Sequence, residues 1–163
     1  MSFLEKASEK AHLSIQRAEA AYQALACEDW AGAWLLLEPV AEGDVAHVLY
    51  NKGLCLFQAG RWEESRRFLS LALRALTAEP SAKKELDSVA LSLLAQMGMQ
   101  KLPPPMSGEL VLSSPAYGVV LAQWAMALCL FACGREDEAQ RTAGPLERYH
   151  LTALTKILNR EVQ

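Results

Sequence analysis

The chain has 163 residues, 52% of them hydrophobic, and a formal net charge of −3. That is enough apolar material for one domain with its own core, and Leu and Ala dominate it, a mixture that favours helices over sheets. A slightly acidic chain with no long basic run argues against a nucleic-acid-binding surface.

In chain order, Ser2 and Glu5 have the spacing of a capping box. The charges spread through the first dozen residues leave no apolar stretch of signal-peptide length, so no secretion signal is expected. Leu4, Ala7, Ala11, Ala18, Ala21 and Leu25 then recur at three- and four-residue spacing, one stripe of a long helix. Asp29 caps a short second helix over Trp30–Leu37, which Pro39 stops. Gly43-Asp44 opens a third helix that closes at Gly60, a glycine placed for a left-handed C-terminal residue. A fourth helix carries Trp62, Ser65, Leu69, Ala72 and Leu76 on one face, and Pro80-Ser81 breaks it.

Lys83 to about Met99 reads as a fifth helix with Leu86, Val89, Leu93 and Met97 facing inward. "KLPPPMSGELVLSSP" resists helix, because three consecutive prolines favour an extended polyproline conformation. Ser114-Pro115 is a strong start signal for a sixth helix, which Gly134 closes. A seventh helix covers Glu136–Thr142, and Ala143–Pro145 breaks the chain before a terminal helix. No segment alternates as a strand does. The expected fold is all-α: a single domain over 1–163, with helix pairs at 1–40 and 44–80, a fifth helix at 82–101, a proline-rich loop at 102–114, a last pair at 115–143 and a terminal helix at 145–160.

No charge occurs between Leu110 and Gly134, a length that could span a bilayer. The stretch contains Ser113, Ser114, Pro115, Gly118 and Gln123, so a buried helix of a water-soluble fold is the preferred reading. Cys27, Cys55, Cys129 and Cys133 lie in helix-like apolar stretches, which suits small core residues in a reduced, cytoplasmic protein. Cys129 and Cys133 share a helical face but lack nearby His partners, so no metal site is expected. His12, His47 and His150 are scattered. Glu63-Glu64 and Glu136-Asp137-Glu138 fall in first turns, where the helix dipole accounts for them. Arg66, Arg67 and Arg74 fit a solvated face. With no phosphate loop, HExxH, GxSxG or paired CxxC, neither an enzymatic activity nor a cofactor is expected.

One phrase is written twice. "LCLFQAG" at Leu54–Gly60 returns as "LCLFACG" at Leu128–Gly134, 74 positions later, each followed by Arg and acidic residues. Helix, glycine, short helix, repeated, is the signature of a helix-pair repeat. The stretch "YNKGLCLFQAGRWEESRRFLSLALRALTAEP", Tyr50–Pro80, resembles the tetratricopeptide family in Gly53, Gly60, Trp62, Ser65, Ala72 and Pro80. At an offset of 32, near that family's period of about 34, Ala21, Trp30 and Ala33 correspond to Gly53, Trp62 and Ser65. In the later copy Ala127, Gly134 and Ala139 correspond to Gly53, Gly60 and Ser65, while Glu136 or Asp137 replaces the aromatic. The interval between the two phrases holds about one further repeat's length of chain.

The resemblance implies antiparallel helix hairpins forming a short right-handed superhelix, interrupted by the proline-rich loop. It further implies a concave face, lined by the first helix of each pair, that binds a protein partner. Here that face takes Ile15, Tyr22 and Leu25 from the first pair, His47, Tyr50, Leu54 and Phe57 from the second, and Leu121, Trp124, Leu128 and Phe131 from the last. Only Asn51 could serve a polar clamp for an acidic C-terminus. An apolar peptide or amphipathic helix is the expected ligand of such an adaptor or chaperone. A narrower resemblance is to the small all-tetratricopeptide chaperones of type III secretion. Residues at this spacing also suit a core. The cover would then be the terminal helix, the "GELVLSS" segment or, in a homodimer, a second copy of the chain. Neither a membrane nor nucleic acid is an expected partner.

Overall fold

The computed structural model describes residues 2–41, 43 and 45–159. It is all-helical, and no strand occurs among the described residues. In order these residues form α1 (Phe3–Ala26), α2 (Trp30–Leu37), α3 (Ala46–Gln58), α4 (Trp62–Thr77), α5 (Ser88–Met97), α6 (Gly108–Ser113), α7 (Pro115–Ala132), α8 (Glu136–Ala143) and α9 (Thr155–Leu158).

The starts follow local chemistry. Ser2 Oγ accepts the Glu5 N–H while the Glu5 carboxylate accepts the Ser2 N–H, the reciprocal box at the head of α1. Asp29 accepts the Gly32 N–H at 2.9 Å and starts α2. Helix α3 begins at Ala46, after an exposed Gly43. Asp44, expected to help open it, lies outside the described residues.

Each of the first two pairs is a hairpin of neighbours in sequence, α1 on α2 and α3 on α4, and α7 on α8 makes a third. Their turns are copies. Gly60 and Gly134 both take φ +76°, the left-handed region that a Cβ disfavours. Arg61 N–H donates to Leu56 O at 2.9 Å, and Arg135 N–H to Leu130 O at the same distance. In the first hairpin Asp29 N–H donates to Ala24 O at 2.9 Å, and Glu28 sits at φ +60° where the other two have glycine.

Where the paired helices cross, only small side chains fit. A Cβ on Gly53 would lie 2.8 Å from Leu69 Cδ2, and Ser65 Oγ donates to Gly53 O at 2.7 Å. The corresponding Ala21, Ala33, Ala127 and Ala139 are wholly buried. Close helix approach needs such positions, with larger residues filling the grooves around them.

The interval between the duplicated phrases holds no further hairpin of the row. Helix α4 packs directly on α7, so the two copies are neighbours in space, and residues 80–114 make an excursion between them. Of the residues expected in a fifth helix at 82–101, the first two end a 3-10 turn (Pro80–Lys83), an extended stretch follows, and only Ser88–Met97 form the shorter α5. Asp87 accepts the Ala90 N–H at 2.8 Å and so fixes a later start. Ala90 and Leu94 are the buried residues of α5, and of the four residues expected to face inward Leu86, Leu93 and Met97 pack partly buried against the core while Val89 is exposed.

Residues 102–114 are not loop throughout, since Ser107 accepts the Leu110 N–H at 3.1 Å and starts α6. The terminal helix expected at 145–160 is also broken. It is a 3-10 turn at Gly144–Tyr149, a left-handed His150, a second 3-10 turn at Thr152–Leu154 and α9, with Arg160 outside the described residues. Thr152 N–H donates to Gly98 O at 2.8 Å, which ties this segment to the end of α5 instead of to its own helix.

By length and composition α7 could cross a membrane, at a mean hydropathy of 1.6, but 72% of it is buried inside the fold. Its apolar surface goes into packing against α4 and α8.

Candidate functional site

Helix α3 packs on α7, and the side of α3 that carries His47 and Tyr50, covered by α6 and the 103–106 segment, is the inner face. Glu19 of α1 acts electrostatically on His47 of α3, and Tyr22 of α1 on Tyr117 of α7. Tyr117 in turn acts on Tyr50 of α3. Burial pushes the Tyr50 hydroxyl well above the ordinary tyrosine range, and Tyr117 adds to this. The Tyr117 hydroxyl is raised by burial first and Tyr22 second. His47 is lowered by burial, against the opposing pull of Glu19.

The chain itself lies on this face. Pro103–Met106 crosses α3 as an extended strap. Tyr50 Oη donates to Pro104 O at 2.8 Å. Asn51 Nδ2 donates to Met106 O at 2.8 Å, and Asn51 Oδ1 accepts the Met106 N–H at 2.9 Å. One amide side chain thus satisfies both main-chain groups of Met106, whose side chain is 0% exposed. The prolines bring no N–H that needs a partner. Beside the strap, α6 packs on α3 and α7, and Gly108 approaches His47 so closely that a Cβ there would lie 3.1 Å from the imidazole Cε1.

The residues expected to line a groove divide accordingly. Tyr50 (0% exposed), Leu54 (1%) and Trp124 (0%) are core. Leu25 and Leu121 are buried as well. Tyr22, His47, Phe57, Leu128 and Phe131 are half-buried, with Lys156 of α9 standing 5.6 Å from the centre of the Phe131 ring. Ile15 is 68% exposed. Among the described residues the Trp124 Nε1–H is buried without an acceptor, and nothing in the structure explains it.

Comparison of the chain with protein-family models, curated proteins and solved structures gives no match. Its chemistry is therefore read from its own residues.

Sequence reasoning missed the strap and Tyr117. The "GELVLSS" stretch was a candidate cover, but the residues hydrogen-bonded to α3 come just before it. A signal was present: Asn51 stands on an apolar helix face, where a buried amide must find main-chain partners, and three prolines supply an extended segment.

The cysteines point to no chemistry of their own. Cys55 and Cys129 are buried, Cys133 is partly buried and Cys27 is exposed. Burial first of all drives the Cys55 thiol up to about 12 and the Cys133 thiol up to about 11, far from the reactive thiolate range. Cys129 Sγ donates to Trp62 O at 3.0 Å, a packing role. No group of three His, Cys, Asp or Glu among the described residues is arranged to hold a metal ion.

Proposed function

We propose that this chain is a protein-interaction module, an adaptor or chaperone built of tetratricopeptide-like hairpins in a short right-handed superhelix. Its inner face takes an extended apolar segment of a protein partner. No catalytic step, cofactor, nucleic acid or membrane enters this reading, and the cytoplasm is its place of action. The observation that supports it is the Asn51–Met106 pair of hydrogen bonds, through which a helix face holds an extended main chain much as peptide-binding grooves do. A narrower form of the reading is a chaperone of the type III secretion kind, shielding an export substrate.

The test is capture of partners by the tagged chain from its native source. Tyr22→Asp and Phe57→Asp, at half-buried inner-face positions, are compared with Arg67→Glu on the exposed side of α4, with circular dichroism as a folding control. The reading expects a partner lost with the first two and kept with the third. A partner set indifferent to all three, or none at all, defeats it.

A second reading, a homo-oligomer, is favoured by α1. Its apolar stripe is buried only from Ala18 onward, leaving Phe3 (85% exposed) and Leu4 (78%) uncovered. Sedimentation at micromolar concentration separates a dimer from a monomer.

A further inference from the structure

We propose that Pro103–Met106 is a resident occupant of the inner face that a partner displaces, and that the displacing segment is extended, proline-rich and followed by one large unbranched apolar residue. This rests on the interaction-module reading and names its ligand.

The clamp itself carries no sequence requirement. All three hydrogen bonds that hold the strap use its main chain: Pro104 O accepts from Tyr50, Met106 O accepts from Asn51, and the Met106 N–H donates to Asn51 Oδ1. Any segment of the same backbone shape satisfies them. Selectivity comes from two other features. Prolines hold the extended form in advance and so reduce the entropy lost on binding. The anchor position takes Met106, whose Cε and Sδ reach the space left open by Gly118, 3.6 Å from where a Cβ would stand. A flexible thioether fits such an irregular space, and a β-branched residue fits it worse.

The excursion that carries the strap is held at some points and left open at others. Pro103 and Met106 are buried and Leu86, Leu93, Met97, Leu110 and Val111 pack against the core, while Val89, Leu91, Met99 and Leu112 stay exposed. A segment that leaves part of its apolar surface in solvent opens at lower free energy than the hairpins beneath it. Because the strap is tethered at both ends, it competes at an effective concentration of order millimolar, and a partner meets only the open fraction of molecules.

The experiment uses the full chain and a labelled peptide, KLPPPMSGEL, identical to residues 101–110, with binding read by fluorescence anisotropy. Met106→Ser removes the resident anchor, and Pro104→Gly with Pro105→Gly loosens the strap while keeping it. Each variant is expected to bind the peptide at least about tenfold more tightly than the native chain, and adding Asn51→Ala to either is expected to abolish the gain. Variants of native helicity that bind no better than the native chain overturn the proposal. So does loss of helicity in both variants, which makes the strap a permanent part of the core. Peptide binding without any captured partner leaves the strap claim standing and defeats the module reading alone. Partner capture without peptide binding does the reverse.

Discussion

Asn51 and Met106 lie 55 positions apart and exchange two hydrogen bonds, at 2.8 and 2.9 Å, in the buried interior. A single side chain therefore fixes the strap to α3. Asn51→Ala leaves a buried N–H and a buried C=O without partners, each costing about 1–3 kcal/mol. The expected loss in urea unfolding is about 2–6 kcal/mol. A change within about 0.5 kcal/mol, the range of ordinary surface substitutions, contradicts the described role.

The three hairpin turns give a second prediction, with opposite signs. Glu28 holds φ +60° without the freedom of glycine, whereas Gly60 and Gly134 hold φ +76° with it. Glu28→Gly is expected to raise stability by up to about 1 kcal/mol, and Gly60→Ala or Gly134→Ala to lower it by about 1–2 kcal/mol. No side-chain contact complicates the alanine variants, since a Cβ at either glycine meets no atom within 4 Å. Thermal unfolding of the three variants checks the sign of each change.

His47 makes stability depend on pH. Its pKa in the fold is lowered from the ordinary 6.5 by burial. Above that value both the folded and unfolded chains carry it neutral, and its contribution is complete. As pH falls below 6.5, the unfolded chain takes up the proton first, so stability drops until the pH passes the lowered folded value. Urea midpoints at pH 7.5 and 5.5 should differ more for the native chain than for His47→Gln. Equal differences in the two proteins would falsify the assignment.

The thiols should differ sharply towards a disulfide reagent at pH 8. Cys27 is exposed, whereas burial holds Cys55 at about 12 and Cys133 at about 11. One thiol per folded chain is expected to react fast, and all four after denaturation. A Cys27→Ser variant that keeps the fast phase contradicts this.

The hairpins were legible in the sequence because each is written locally. Ser2 with Glu5, Asp29, Gly60, Gly134 and Pro115 set ends through bonds or dihedrals within a few residues, and Gly53 and Ser65 mark where helices cross. The excursion was legible only in part. Val89 was expected to face inward, but the packing of α5 depends on the 3-10 turn at Gly144–Tyr149, distant in sequence. The terminal segment breaks for the same reason, its Thr152 N–H being captured by Gly98 O. The inner face shows the same limit. Helical spacing set out Tyr50, Leu54 and Trp124 as one apolar wall but could not say what covers it, since the partner of Asn51 lies across the fold.

The most direct measurement is amide hydrogen exchange of the native chain, read at the Met106 N–H bonded to Asn51 Oδ1. For a displaceable strap, this proton is expected to exchange through a partial opening, markedly faster than the amides of α3 and α4 and with little dependence on denaturant. Exchange of Met106 only together with α3 and α4, through global unfolding, would contradict the claim that the inner face can open to a partner.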